Sequence, residues 1–141
     1  MHLGSCLCKA VTYEIRGKLT DIYQCHCSVC RKAFSAGGCS VCLTSGEDFV
    51  WKSGEEHIRL WISDTGYRST FCGICGTHLP DPDPEKTTYW VPAGTLDERD
   101  PGIRVGAHVY VDSKAEWDVI GDDGVRYHEG FDSPEIKPAS Y

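Results

Sequence analysis

The sequence predicts a mainly β fold, a single domain built of small antiparallel sheets. Three observations support this prediction. Apolar and polar residues alternate with period two along several segments, turn residues separate neighbouring segments, and helical spacing never extends beyond about two turns. The chain has 141 residues, of which 40% are apolar and 25% charged, a composition typical of an ordinary globular domain.

Two segments show the strand pattern most clearly. In AVTYEIRG, the apolar side chains Val11, Tyr13 and Ile15 alternate with polar ones, which predicts a half-buried strand. RVGAHVYV repeats the pattern, with Val109 on the apolar face and His108 on the opposite one. We therefore expect His108 to be a half-exposed strand residue rather than a proton shuttle.

Turn residues divide the middle of the chain into further strands. DFVWKSGEEHIRLW is predicted to form a hairpin around Ser53-Gly54, and HIRLWIS is predicted to pair with YRSTFC around Asp64-Thr65-Gly66. TTYWVPAGTL is a further strand, and the Pro/Asp-rich residues 80–86 form a loop. Three tryptophans are expected in the core, namely Trp61, Trp90 and Trp117.

The net charge indicates which classes of partner to expect, and the first residues indicate the cellular compartment. The net charge of −7 opposes binding to nucleic acid or to an anionic membrane, so neither is expected as a partner. MHLGSC lacks a basic region followed by a long apolar one, so we expect a cytoplasmic protein with reduced thiols. Residues 1–131 are predicted to form the domain, and residues 132–141 a polar C-terminal tail. The sequence does not indicate an oligomeric state.

Nine cysteines are the least ordinary feature of the composition. Seven of them lie in closely spaced motifs: Cys6 and Cys8, then Cys25, Cys27 and Cys30, and finally Cys72 and Cys75. In an extended chain, residues i and i+2 point to the same face, so each C-x-C pair can direct two sulfurs at one metal. His26, between two such cysteines, then points away from the metal. The late C-x-x-C, followed by glycine, is typical of a zinc knuckle.

The number of cysteines predicts two different zinc sites. One C-x-C pair plus the knuckle supplies four thiolates, which is a closed structural site. The other C-x-C pair and Cys30 together supply three ligands and leave a fourth position open, as in catalytic sites. Spacing alone leaves open which C-x-C pair joins the knuckle, although Cys30 favours keeping residues 25–30 together. Cys39 and Cys42 lie in a strand-like stretch and are expected to be core or strand cysteines.

The ordered set of motifs resembles one known family. GSCLCKAVTYEI, CHCSVCRK, FCGICGTHL and AGTLD occur in the order typical of the glutathione-dependent formaldehyde-activating enzyme family, which includes the centromere protein V domain. HVYVDSKAEWDVI resembles the C-terminal strand segment of that family, so the resemblance covers residues 4–131.

The resemblance implies a zinc-stabilised β-tent fold with two zinc ions per chain. It implies that the structural zinc is held by Cys6, Cys8, Cys72 and Cys75, and the catalytic zinc by Cys25, Cys27 and Cys30. It also implies carbon–sulfur lyase activity on S-(hydroxymethyl)glutathione, in either direction. Lys9 departs from the family pattern, in which glycine is common after the second cysteine, and the pattern does not require Cys39 or Cys42.

The expected chemistry follows from the open position. A zinc ion with three thiolate ligands has a net charge of about −1, which favours a soft thiol over a hydrolytic water as fourth ligand. We therefore expect a substrate thiolate at this position, with formaldehyde or a related small aldehyde adding to it or leaving from it. Glutathione is such a thiol and is anionic, so the cations Arg31 and Lys32, directly after Cys30, are the candidate substrate-binding residues.

Two alternatives belong to other classes of protein. The protein could be a non-catalytic, zinc-stabilised interaction module, which a fourth protein ligand at the second zinc, from Cys39, Cys42 or a histidine, would support. A methionine sulfoxide reductase of related fold would need a catalytic cysteine late in the chain. No cysteine follows Cys75, so this second alternative is set aside.

Overall fold

A computed structural model describes residues 1–137, which form two compact units. The first unit comprises Met1–Thr20 and Val41–Ile103, and the second comprises Asp21–Ser40 and the chain from Arg104 onward. A domain of residues 1–131 followed by a tail stays a prediction. Within that tail, Glu135 forms a β-bridge with Tyr127, and residues 138–141 lie outside the described part of the chain.

The described residues contain one short α-helix and eleven short strands. The strands are β1 (His2–Ser5), β2 (Thr12–Ile15), β3 (Ile22–Cys25), β4 (Cys39–Ser45), β5 (Phe49–Ser53), β6 (Ile58–Ile62), β7 (Arg68–Cys72), β8 (Asp81–Pro82), β9 (Thr88–Pro92), β10 (Val105–Val109) and β11 (Val125–Arg126). The helix α1 (Ser28–Phe34) has seven residues. No helix within residues 1–137 is therefore long enough to cross a membrane. The prediction of a mainly β fold of small sheets is confirmed.

The first unit is built on an antiparallel sheet in the order β1-β2-β5. Val11, Tyr13 and Ile15 are buried, as their alternation with polar residues predicts. The ring of Tyr13 stacks on Phe49 of β5 at 5.3 Å between centroids, and Trp51 packs edge-on against both rings. This aromatic cluster joins β2 to β5.

The hairpin predicted around Ser53-Gly54 is wrong, whereas the one around Gly66 is confirmed. β5 pairs with β2, and β6 pairs with β7. The aromatic side chains of β5 gain more burial against Tyr13 than they would beside the exposed strand β6. Gly66 has a φ of +88°, a conformation that suits a tight turn between β6 and β7.

The same unit contains a second antiparallel arrangement, in which β9 pairs with both β4 and β8. Cys42 on β4 and Val91 on β9 are fully buried, and the Cys42 thiol donates a hydrogen bond to the Val91 carbonyl at 3.7 Å. Cys42 is therefore a core cysteine, as expected from its place in a strand. β4 begins in the second unit, at Cys39.

The second unit departs from the predicted antiparallel pattern. β10 pairs in parallel with both β3 and β11. β3 and β10 are far apart in the chain, so no hairpin turn imposes an antiparallel arrangement on them. Val109 is 3% exposed and His108 0% exposed, so both faces of β10 are covered at its end. The expectation of a half-exposed His108 is wrong for this reason.

The three tryptophans expected in the core are instead exposed. Trp61 is 58% exposed, Trp90 37% and Trp117 72%. Among residues 1–137, β6, which carries Trp61, pairs with β7 alone, and its residues 59–62 are all exposed. The buried aromatic residues of the first unit are Tyr13, Phe49 and Tyr89. Aromatic character alone therefore did not identify the core.

Candidate metal centres

The first candidate centre lies in the first unit and combines two distant cysteine pairs. The sulfurs of Cys6, Cys8, Cys72 and Cys75 all lie within 4.8 Å of one another. Two separations are 3.5 Å, between Cys6 and Cys8, and 3.9 Å, between Cys8 and Cys72. Four sulfurs at the usual zinc–sulfur bond length of about 2.3 Å would be about 3.8 Å apart in a tetrahedron. The sulfurs therefore fit a tetrahedral ion of the size of zinc.

Tight turns position these sulfurs. The Gly76 amide donates to the Cys72 carbonyl at 2.8 Å, and Gly76 has a φ of +77°. The knuckle thus curls back at a residue type that adopts this conformation at little cost. The Thr77 hydroxyl lies 3.2 Å from the Cys75 sulfur. Hydrogen bonding from Thr77 lowers the pKa of Cys75 to about 5, which favours the thiolate that a metal binds.

The second cysteine pair of this centre sits in a turn of its own. The Lys9 amide donates to the Cys6 carbonyl at 2.9 Å, and the Val11 amide donates to the Cys6 sulfur at 3.3 Å. Lys9 has a φ of +60°, in the left-handed region that favours glycine. This turn needs a left-handed backbone at position 9. Glycine adopts that conformation at little cost, which explains why glycine is common at this position in the family that the sequence resembles.

The second candidate centre lies in the second unit, where β3 passes into α1. Cys25 is the last residue of β3, Cys27 is the N-cap of α1, and Cys30 lies in its first turn. Their three sulfurs lie within 4.8 Å of one another. The Cys30 amide donates to the Cys27 sulfur at 3.3 Å, as expected for an N-cap side chain. The structure thus brings together the three cysteines that the sequence kept together.

Cys39, the first residue of β4, is a buried strand cysteine, as expected. Its sulfur lies outside the close group formed by the other three. Hydrogen bonds from Cys30 and Cys39 hold the pKa of Cys25 far below its usual range. Cys39 and Cys42 lie on opposite faces of β4, as their offset of three predicts, and only tertiary packing places Cys39 beside the other cysteines.

Two buried histidines form a hydrogen-bonded chain next to this centre. His26 Nε2 lies 2.9 Å from His108 Nδ1, and His108 Nε2 lies 2.8 Å from an Asp122 carboxylate oxygen. The hydrogen bond from His108 lowers the pKa of Asp122. Burial, followed by the charge of His108, lowers the pKa of His26. The His26 side chain thus contacts His108, which was predicted to be half-exposed and is instead buried.

The two basic residues expected to bind substrate flank a groove. Arg31, Lys32 and the exposed Trp117 line a depression of about 280 Å³. Arg31 Nε is buried without a hydrogen-bond partner among residues 1–137. The contribution of Trp117 was missed because the sequence places a tryptophan more readily in a core than on an exposed face.

Together, the fold and the two cysteine clusters define a mainly β protein with two candidate metal centres, one of four sulfurs and one of three. The chain belongs to the glutathione-dependent formaldehyde-activating enzyme family, whose model matches residues 1–113.

This chain is similar to a curated protein in sequence and to a solved structure in fold. A protein of Halomonas elongata, named "Putative glutathione-dependent formaldehyde-activating enzyme", is 28% identical over 122 residues, which cover 81% of this chain and 77% of that protein. A crystal structure of a Rhodobacter sphaeroides protein superposes with a TM-score of 0.57 at 23% identity, covering 73% of this chain and 98% of the other. The structural likeness supports the fold.

Proposed function

We propose that this protein is a zinc-dependent carbon–sulfur lyase that makes or cleaves the adduct of glutathione, or another thiol, with formaldehyde or a related small aldehyde. The observation that carries the proposal is the difference between the two clusters. One has four mutually close sulfurs, whereas the other has three. Three protein ligands with an exchangeable fourth position are typical of catalytic zinc, and four are typical of structural zinc.

The donor atoms of the second cluster suit this chemistry. Cys25, Cys27 and Cys30 offer only sulfur, which favours a soft metal such as zinc. When bound, zinc would supply a position at which a thiol is deprotonated and held as thiolate. Family membership and the name of the Halomonas elongata relative support glutathione as the thiol.

The chain's own cations would orient an anionic thiol. Arg31 directly follows Cys30, and its guanidinium can bind a carboxylate with two parallel hydrogen bonds, which the Lys32 ammonium cannot do. Arg31, Lys32 and the exposed Trp117 line the same groove. These three side chains offer both charge and apolar contact to a peptide-like thiol.

Exchange spectroscopy by NMR tests the proposal directly. Protein loaded with two zinc ions per chain, verified by elemental analysis, is added to an equilibrium mixture of glutathione, formaldehyde and their adduct. We expect the exchange of the hydroxymethyl group to be faster than without protein. The Cys27→Ser variant, which lacks one ligand of the second cluster, serves as the matched control. Equal exchange rates with wild type and without protein would contradict the proposal.

Cys39 favours a second candidate function, a non-catalytic module in which both metals are structural. It is buried near the second cluster, where it takes part in lowering the pKa of Cys25, and a shift of its side chain toward the three sulfurs would bring a fourth thiolate to the metal. Such a closed site would have no position for a substrate.

X-ray absorption at the zinc edge separates the two candidates, because it counts sulfur neighbours. Under the lyase proposal, Cys39→Ser keeps two zinc ions per chain and the average sulfur count of the wild type. Under the closed-site alternative, the same variant loses a sulfur ligand, and its second zinc binds more weakly. Cys42→Ser, a core substitution in the other unit, is the control.

A further inference from the structure

A carboxylate in the second unit has no hydrogen-bond partner among residues 1–137. The Asp118 side chain is 29% exposed, and its carboxylate lies 3.6 Å from His26 Nδ1, which is beyond hydrogen-bond distance. Lys114 directs its ammonium to the backbone carbonyls of Ala115 and Asp118 and not to this carboxylate. A carboxylate offers two acceptor oxygens. Both oxygens of Asp118 are therefore free to accept hydrogen bonds from a ligand.

This carboxylate lines a cavity of about 200 Å³ whose wall suits a cation. Gln24 and Ser40 also line the cavity, and Gln24 Nε2 donates to Ser40 Oγ at 3.0 Å, which leaves the side-chain carbonyl of Gln24 as an acceptor. Among the described residues that line the cavity, Asp118 alone is acidic, and none is a lysine or an arginine. The wall thus offers a negative charge and acceptor oxygens, which an ammonium group needs when it leaves water.

Two glycines form another part of the cavity wall. A Cβ atom at Gly37 would lie 2.5 Å from the Asp118 carboxylate, and one at Gly38 would lie 2.3 Å from the Cys25 carbonyl oxygen. A larger side chain at either position would collide with the carboxylate or with the end of β3. The glycines therefore keep the Asp118 carboxylate in place, and they bring the cavity wall against the backbone of Cys25, a member of the second cysteine cluster.

The cavity adjoins the groove lined by Arg31, Lys32 and Trp117. Ala36 lines both the cavity and the groove, and its amide donates to the Arg31 carbonyl at 3.3 Å. Trp117 of the groove directly precedes Asp118 of the cavity in the chain. Two cations in the groove and one carboxylate in the cavity beside it match a ligand that has carboxylates at one point and an ammonium at another.

We propose that the cavity beside Asp118 binds the ammonium group of the substrate thiol, while Arg31 binds a carboxylate of the same molecule. This inference rests on the proposed lyase function and names its substrate class, a thiol built from amino acids with a free amine. Glutathione belongs to this class, since it has one ammonium and two carboxylates. A thiol with carboxylates alone would leave the Asp118 charge without a partner and would be repelled by it, so Asp118 selects against such thiols.

Calorimetric titration of zinc-loaded protein tests the ammonium site with two ligands that differ in one group. The ligands are glutathione and deaminoglutathione, in which a hydrogen atom replaces the ammonium. We expect the wild type to bind glutathione about tenfold more tightly. This factor is at the lower end for a charge-assisted hydrogen bond, because the Asp118 side chain is 29% exposed and water screens its charge.

The variant Asp118→Asn removes the charge with little change in shape. Because the carboxylate makes no hydrogen bond to residues 1–137, we expect the variant to fold and to keep its zinc content. It should bind glutathione about tenfold more weakly than the wild type and deaminoglutathione equally well, within about twofold. The preference for the ligand with the ammonium should therefore disappear.

Two further variants separate this effect from other losses of charge. Glu116 is exposed, close to Asp118 in sequence and part of neither the cavity nor the groove, so Glu116→Gln should keep the wild-type preference. Arg31→Ala should weaken both ligands by the same factor, because both keep their carboxylates. A preference that also disappeared in Arg31→Ala would overturn the assignment of the ammonium to Asp118.

The remaining outcomes distinguish failure of the ammonium site from failure of the lyase proposal. Equal weakening of both ligands by Asp118→Asn would overturn the ammonium site, since loss of the charge would then act without regard to the ammonium. Equal affinity of the wild type for the two ligands would also overturn it, and the lyase proposal would stand. If the wild type bound neither thiol, both proposals would be overturned.

Discussion

Lys9 has a left-handed backbone conformation in the turn that carries Cys6 and Cys8, with a φ of +60°. A side chain in this conformation costs about 1–2 kcal/mol, because its Cβ approaches the following carbonyl oxygen. Glycine avoids the clash but loses more freedom on folding. The residue at position 9 therefore affects stability without contributing a ligand.

Replacement of this lysine by glycine should stabilise the protein. We expect Lys9→Gly to raise the free energy of unfolding by about 0.5–1 kcal/mol, the relief of strain less the extra entropy lost by glycine. Urea denaturation of zinc-loaded protein measures the difference. Lys9→Ala keeps the Cβ and should show no gain, and an equal gain in both variants would rule out the backbone explanation.

Arg31 is the residue whose loss should weaken glutathione binding most. A lost charge-assisted hydrogen bond lowers affinity by roughly 10- to 150-fold. We expect Arg31→Ala to weaken binding by about that factor with zinc content unchanged, and Lys32→Ala to do less, because an ammonium cannot form the bidentate pair. Calorimetric titration measures both variants. A small uncharged thiol is the control. Its affinity should be the same for wild type and for Arg31→Ala, because it has no carboxylate for the guanidinium to bind.

At the scale of elements, the join between β3 and the start of β4 leaves no room for a side chain. The Cβ atom of an alanine at position 38 would lie 2.3 Å from the Cys25 carbonyl oxygen, closer than real contacts allow. Cys25 and the segment before Cys39 approach each other at this point. The close approach holds Cys25, a member of the second cysteine cluster, against the segment that leads into β4.

The variant Gly38→Ala should therefore lose stability and the second metal together. We expect a loss of about 1–3 kcal/mol in the free energy of unfolding, the usual cost of overpacking, and weaker binding of the second zinc. Chemical denaturation and metal analysis measure these effects. Gly121→Ala lies in the same unit, where a Cβ meets nothing within 4 Å, and should leave both unchanged. A Gly38→Ala protein as stable as this control would contradict the packing argument.

At the scale of the whole molecule, the two clusters close loops of very different length. In the first cluster, Cys8 and Cys72 are 64 residues apart in sequence. In the second cluster, all three cysteines lie between positions 25 and 30. Closing a long loop costs more chain entropy, so a metal that closes one restricts the unfolded chain more. The first centre should therefore contribute more to folding than the second.

Matched cysteine variants test this division. Binding of a structural zinc can contribute about 10–16 kcal/mol, more than the whole stability of a typical domain, so we expect Cys72→Ser to be insoluble or unfolded. Cys27→Ser should stay folded, with one zinc per chain and no catalysed exchange. Circular dichroism and elemental analysis report these outcomes. Equal destabilisation by both substitutions would mean that the second centre is also structural.

Much of this protein could be predicted from short stretches of sequence. The alternation around Tyr13 predicted β2 and its buried face, and the turn at Gly66 predicted the β6–β7 hairpin. The C-x-C and C-x-x-C spacings predicted which sulfurs would lie side by side within each pair. These features depend on bond geometry and on the nearest neighbours in the chain, which every copy of the same local pattern shares.

Tertiary structure decided the pairings between distant segments. It paired β5 with β2 instead of β6, set β3 and β10 in parallel and so buried His108, and brought the segment before Cys39 against Cys25. Spacing alone also left open which C-x-C pair joins the knuckle. Such pairings depend on the balance between the chain entropy lost when a loop closes and the free energy gained when two segments bury apolar surface against each other. Every pair of segments in the chain enters this balance. A short sequence pattern carries no information about the distant segments, so it cannot predict which pairing is most stable.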